Sequence, residues 1–324
     1  MSTVAPTDDD LPVNIVRGTH GQLIFFLVLN MWPSHLGLPI LLSIVFFSKR
    51  VNRHPTFVNL CVAFIIVGFS SSLLVYAGRT VGPEPSTMLC LLQASLLYGM
   101  PALTSTAAFM LVLQMFFTTR AAFFGEEYQD SDHIIRTWIM LTLPFVTFFV
   151  CVVATATVGA TSPLRVSRNR RFFYCSLQSS PLTDSLSVFS AIILFSTFIF
   201  ITWTAVLIYK RLMVTKDALP KWTMDLSLPL RIIAFGLYTI TAMSLSLLSI
   251  NSPSSPVPDL VIALAATMVI MIFGTQRDII CTLCFWRRPP PPEVPEELHV
   301  DLRQAFDLEA KRSGSDIIGP PKAF

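Results

Sequence analysis

All 23 Lys and Arg and all 20 Asp and Glu of this chain lie in connecting segments, at the ends of apolar segments, or in a tail. Between them run seven apolar stretches, near 22–47, 56–78, 91–117, 137–159, 186–208, 232–250 and 258–275. A charge at the centre of a bilayer costs about 2.5–3.5 kcal/mol even on insertion scales, so such clean segregation indicates lipid. Each stretch is about 18 to 27 residues, the length an α-helix needs to cross a hydrocarbon core of ~30 Å. Backbone groups in lipid must bond within their own segment, which makes these stretches helices and not strands. Charged residues are 13% of the chain, against ~25% in ordinary globular domains, and this overrides a reading as soluble domains. The expected fold class is all-α, an integral membrane seven-helix bundle. The sixth stretch is rich in Ser and Thr, and a turn with Pro253, Pro256 and Pro258 divides it from the seventh.

Positive charge sets the expected orientation. With the N-terminus outside, 13 Lys and Arg fall on inner segments, among them Lys49, Arg50, Arg53, Arg120, Arg136, Lys210, Arg211, Lys216, Lys221 and Arg231, against six outside. This bias supports an outer N-terminus and a cytoplasmic C-terminus. The dissenting cluster, Arg165 to Arg171, sits in the longest outer loop. The opening MSTVAPTDDD has no basic region before a short apolar core, so no cleavable signal peptide is expected. Three parts follow: an extracellular N-terminus over 1–21, a bundle with a short interfacial helix over 22–284, and a cytoplasmic Pro-rich tail over 285–324. Pro289 to Pro292 break any helix leaving the membrane, and 296–310 has weak amphipathic spacing through Leu298, Leu302 and Phe306.

Six cysteines divide by expected position. Cys61 and Cys151 fall inside spans, where a thiol acts as a small buried hydrophobe. Cys90, at the outer start of the third span, and Cys175, in the long outer loop, are the two that face an oxidising compartment. A bond between them would close a loop of about 85 residues, worth about 4 kcal/mol by chain entropy. Cys281 and Cys284 sit just inside the membrane in QRDIICTLCFWRR. They are either palmitoylation acceptors or plain interfacial thiols. A helix there would turn Ile279, Ile280, Leu283, Phe285 and Trp286 to lipid and Arg277, Arg287 and Arg288 to phosphates. The CxxC spacing has no second Cys or His pair to complete a metal site.

The chemistry this inventory allows is narrow. His35 is read as the lone ionisable residue at membrane depth, beside Asn30, Pro33, Ser34 and Pro39. Either these line a cavity, or Asn30 and His35 join the first helix to its neighbours by interhelical hydrogen bonds. Proton or ion coupling needs buried carboxylates, and none is counted within the spans. No Lys lies in the seventh span for a retinal Schiff base, and HExxH, GxSxG and paired Asp are absent from the spans. An enzyme, a cofactor, a metal and nucleic-acid binding are therefore not expected. The third span carries the most polar groups, with Gln93, Tyr98 and Ser105 in its outer half, and the sixth adds Tyr238 and Ser244. Uncharged hydrogen-bonding groups on facing helices suit a largely apolar small molecule or lipid-like ligand, and small residues also serve close helix packing. The candidate ligand-binding set is Gln93, Tyr98, Ser105, Tyr238 and Ser244.

Seven spans, Cys90 with a partner at Cys175, and Cys281 and Cys284 after the last span together resemble a G-protein-coupled receptor. The phrase FGTQRDII followed by FWRR resembles the end of the seventh helix in fungal seven-helix receptor-like proteins, whose layout is similar to basidiomycete pheromone receptors of the a-factor-receptor type. The chain departs from the rhodopsin-like pattern. The third span ends in FFTTRAAFF without an acidic residue before Arg120, the sixth reads FGLYTITAMS without an aromatic-x-Pro hinge, and the seventh has no Asn-Pro-x-x-Tyr. The resemblance implies a receptor in which an outer small-molecule or lipopeptide ligand shifts the fifth and sixth helices and opens an inner groove for a heterotrimeric G protein. Arg120, Lys210, Arg211 and Lys216 would meet that partner, and the location would be the plasma membrane. The alternative is a neutral-solute transporter or channel, which should show paired broken helices in two halves.

Overall fold

The computed structural model describes residues 19–48, 51, 53–82, 84–124, 134–168, 173–215, 227–251 and 257–283. Lys216, Cys284 and the tail with its Pro run lie outside the described residues. Each apolar stretch read from the sequence falls on helix. The first comprises α1 (His20–Trp32), a π-turn over Pro33–Gly37, and α2 (Leu38–Phe47). Thr19 starts it with a reciprocal cap: its hydroxyl accepts from the Gln22 amide at 3.3 Å, and its own amide donates to Gln22 Oε1 at 3.0 Å. Pro33 has no N–H to continue the ladder, and the winding loosens there. Ser34 Oγ donates to the Asn30 carbonyl at 2.6 Å.

The second stretch is not the continuous helix expected over 56–78. It is α3 (Pro55–Ser71) and α4 (Leu73–Tyr76), separated by Ser72 at φ −90° and ψ 2°. The rest are α5 (Thr87–Phe124), α6 (Ile134–Thr161), α7 (Ser180–Thr215), α8 (Ser227–Asn251), α9 (Val257–Gly274) and α10 (Arg277–Leu283). Pro229 sits in the first turn of α8, where a missing N–H costs nothing. Among the described residues, four helical segments are long and apolar enough to cross a membrane: His20–Phe47, Thr87–Phe124, Ile134–Thr161 and Ser180–Lys210. Three shorter apolar helices accompany them, Pro55–Ser71, Leu230–Ala242 and Asp259–Gly274.

α5 is the hub, packing against α3, α6, α7 and α8. Its most apolar window is 61% buried, against 17% for that of α6, so the two face different surroundings. α6 turns Trp138, Ile139, Phe149 and Val150 outward, each more than half exposed. Contiguous apolar faces of this kind are intolerable in water and natural in lipid, which makes this a membrane protein. The core follows α5 through Leu103 and Val112 to Phe235, Val269 and Phe273. Its rings interlock, with Phe57 and Phe273 centroids 4.9 Å apart and Phe235 and Phe273 edge-on at 5.8 Å. Gly68 lets α3 cross the first helix closely: a Cβ there would lie 2.8 Å from the Asn30 carbonyl oxygen and closer still to Ser34.

Cross-links tie the end of the fold that holds α10. Arg53 forms an ion pair with Asp278. The Arg231 guanidinium donates to the Ile272 carbonyl and, at 2.7 Å, to Thr275 Oγ1, satisfying the closing turn of α9. Ile279, expected to face lipid, is fully buried against the core, because α10 packs on α2. Ile280, 40% exposed, is the outward residue.

Candidate functional site

At the opposite end, the segment between α6 and α7 folds back as a two-stranded antiparallel hairpin. β1 (Val166–Ser167) pairs with β2 (Ser176–Leu177), Val166 opposite Leu177 and Ser167 opposite Ser176. The hairpin is held from several sides. Cys90 and Cys175 form a disulfide with Cα atoms 5.3 Å apart, closing 85 residues of chain. Gln93, fully buried, accepts from the Cys175 amide at 3.1 Å. The Tyr98 hydroxyl donates to the Leu177 carbonyl at 2.7 Å. Arg168, 2% exposed, donates to the carbonyls of Arg79 and Gly82, and its amide donates to the Glu84 carboxylate at 3.2 Å. Burial pulls the Arg168 guanidinium below its ordinary range, and Glu84 pushes it back up.

Because Cys175 is fixed, its two preceding residues are carried onto the helices beneath. The Phe173 ring stacks on Phe26 of α1, centroids 4.6 Å apart and planes 12° apart. The Tyr174 hydroxyl donates to Asp259 Oδ1 of α9 at 2.9 Å. Under them lies a cavity of about 210 Å³, to which α1, α3, α5, α7, α8 and α9 each contribute. Phe26, Phe64, Tyr98, Tyr174 and Tyr238 give its aromatic wall, and Asn30, Thr104, Ser187 and Ser190 its polar points.

The residues singled out from sequence divide. Tyr98 and Tyr238 line the cavity, the Tyr238 hydroxyl donating to the Val261 carbonyl at 2.7 Å. Gln93 does not line it; its amide nitrogen and oxygen join Ser71 of α3 to the hairpin. Ser105 also lies off the cavity, donating back to the Pro101 carbonyl of its own helix. Ser244 is exposed and donates to Ile240, a turn earlier on α8. Hydroxyls on helices readily bond the carbonyl four residues back, so polar density along a span does not say which of its residues face the cavity.

Asn30 and His35 also part company. Of the two readings open for Asn30, it takes the cavity one: it borders the cavity and its side-chain amide donates to Phe26 within α1. His35 does bridge helices, its Nε2 meeting the Tyr76 hydroxyl of α4 while Nδ1 lies 2.8 Å from Ser34 Oγ. Asp259 requires the larger correction. Taken from sequence as a charge at the edge of the seventh span, it is 7% exposed on the cavity wall, so His35 is not the lone ionisable group within the bundle. The signals were a carboxylate opening an apolar run and a tyrosine beside a loop cysteine.

On the far side of the fold, Arg120 ends α5 exposed, with its guanidinium 5.9 Å from the Phe124 ring centroid. Lys210 is exposed near the end of α7, and Arg211 is on the same helix. Cys281 is a half-buried free thiol on α10, while Cys61 is buried and Cys151 half-buried. Among the described residues no group of three His, Cys, Asp or Glu gathers to hold a metal. No protein-family model matches the chain, and no curated protein matches it in sequence.

Proposed function

We propose that this chain is a seven-span, receptor-like membrane protein that binds a small, largely apolar ligand from outside and signals to a heterotrimeric G protein. The observation that carries the reading is the cavity roofed by a disulfide-held hairpin and walled by six helices. Its walls include α7 and α8, so a ligand there touches the elements whose other ends carry basic residues. A site with differential contacts to two arrangements of those helices can shift their balance. Its volume of about 210 Å³ lies below the ~300–1,000 Å³ of drug-sized sites, which favours a small molecule over a lipopeptide.

Seven crossings with the N-terminus outside agree with the positive-charge bias and put the disulfide in an oxidising compartment. The plasma membrane is the corresponding location, and Arg120, Lys210, Arg211 and Lys216 are the proposed contacts for the G protein. A solute carrier would need broken helices paired between two halves. The interruptions at Pro33–Gly37 and Ser72 instead fall in consecutive elements near the start of the chain. The test is nucleotide exchange on a co-expressed Gα during a small-molecule screen. Ligand-dependent exchange lost in Tyr238→Ala supports the reading. Flux of a neutral solute in proteoliposomes, with no exchange, overturns it.

A further inference from the structure

The hydroxyls of the cavity wall share one direction. Thr104 donates to the Met100 carbonyl at 2.9 Å, Thr183 to Ser179 at 3.0 Å, Ser187 to Thr183 at 2.7 Å and Thr239 to Phe235 at 2.9 Å. Tyr98 and Tyr238 likewise donate, to the carbonyls of Leu177 and Val261, both at 2.7 Å. A carbonyl oxygen can only accept, so the proton of each of these six hydroxyls is already in use. A hydroxyl holds one proton and two lone pairs, so what each offers beyond its own bond is an acceptor. Donors are fewer in the described lining: the hydroxyls of Ser71 and Ser190, and the second amide hydrogen of Asn30, whose first goes to Phe26. Asp259 and Tyr174 are tied to each other and take no part.

We infer that the cavity prefers a ligand bearing a hydrogen-bond donor such as a hydroxyl over one of the same shape that can only accept. The inference rests on the cavity being the ligand site and adds to it the hydrogen-bonding polarity of the ligand. A ligand hydroxyl can donate to one of these oxygens while the wall keeps every bond it has, and successive hydrogen bonds polarise one another. A ligand ketone or ether is served by one of these hydroxyls only after that hydroxyl releases its carbonyl, so one bond is exchanged for another. The rest of the wall, with Phe26, Phe64, Leu97 and Met100, is apolar, and a ligand polar group left against it stays unsatisfied.

The experiment uses the full chain in nanodiscs and matched pairs of defined probes: 1-phenylethanol with acetophenone, cyclohexanol with cyclohexanone, and 4-methylphenol with its isomer anisole. Binding is read by calorimetry, with empty nanodiscs giving the partitioning of each probe into lipid. The variants are Thr104→Val, Ser187→Ala and Thr239→Val, singly and together, and Tyr238→Ala. The first three remove a hydroxyl oxygen while the carbonyl it served keeps its place in the helix ladder. The expected result is a donor probe at least about five-fold tighter than its acceptor-only mate in one or more pairs. That ratio should fall in the single variants and approach one in the triple. A preference that survives unchanged in all of these variants overturns the assignment to these hydroxyls. Equal, saturable binding of both members of every pair, weakened by Tyr238→Ala, overturns the donor preference and leaves the cavity reading standing. No saturable binding in any pair overturns both.

Discussion

Gly68 is where a single methyl group should do the most damage for its size. In the structure its Cα faces the first helix so closely that an added Cβ would sit 2.8 Å from the Asn30 carbonyl oxygen and overlap Ser34. Overpacking by one carbon costs typically ~1–3 kcal/mol, and less where a flexible side chain can move aside. Here one obstacle is backbone at the edge of a π-turn, so Gly68→Ala should fall in the upper part, about 2–3 kcal/mol. At ~2–4 °C per kcal/mol for a chain of this size, thermal unfolding in detergent should drop by roughly 5–10 °C. Ser34→Gly in the same chain removes the Ser34 Cβ and Oγ but not the Asn30 oxygen. The double variant should therefore recover part of the loss, with a coupling of about 1 kcal/mol. Gly21, whose added Cβ would meet only Thr19 Oγ1 at 4.0 Å, is the control. Gly21→Ala should be neutral or slightly stabilising, since Ala is the better helix former. Equal melting of Gly68→Ala and Gly21→Ala, or strictly additive effects with Ser34→Gly, would refute the close crossing. Asn30, Val67 and Ser71 border the cavity, so the same wedge should also weaken any probe that binds there.

Cys90→Ser and Cys175→Ser should each destabilise by about 2–4 kcal/mol, and the double variant should be no worse than either, because one cross-link is lost in all three; thermal unfolding with and without reductant reads this. Tyr98→Phe removes one hydrogen bond to the hairpin and should cost about 1 kcal/mol, whereas Gln93→Leu leaves the buried Cys175 amide unpaired and should cost about 1–3 kcal/mol, both measured by unfolding. Arg231→Ala should free the closing turn of α9 from α8, costing about 1–2 kcal/mol, and raise ligand-independent nucleotide exchange if these helix ends separate on signalling. Unchanged basal exchange with normal folding would show that this tie does not hold the resting state.

The helices were legible because lipid imposes a single rule on every residue within it. Charge exclusion places every stretch on helix, but the ends of 91–117 and 186–208 fall four to seven residues inside α5 and α7, which run on past the apolar segment; the Cys90–Cys175 bond follows from how few thiols share the outer side. The break at Ser72 was not legible, since Phe69-Ser70-Ser71-Ser72 contains no Pro or Gly to mark it. Which polar side chain faces a cavity was legible only in part. Tyr98 and Tyr238 are long enough to reach carbonyls on other segments, while Ser105 and Ser244 are short and satisfy themselves on their own helix. Asp259 escaped because charge counting treats the edge of a span as its outside. A hairpin folding inward over that edge makes it interior, and that fold depends on contacts between residues 85 apart in sequence.

The loosened turn at Pro33–Gly37 separates the first helix into two independently registered halves. Each residue of an α-helix advances the side chains by about 100°, so a turn that accommodates an additional residue re-aims everything beyond it. The half before it presents Phe26 and Asn30 to the cavity, and the half after it presents Leu38 and Leu41 to the core. Substitutions that reshape the cavity wall on the first half can thus accumulate without disturbing how the second half is seated. In evolutionary terms, the turn uncouples cavity lining from scaffold within one continuous rod.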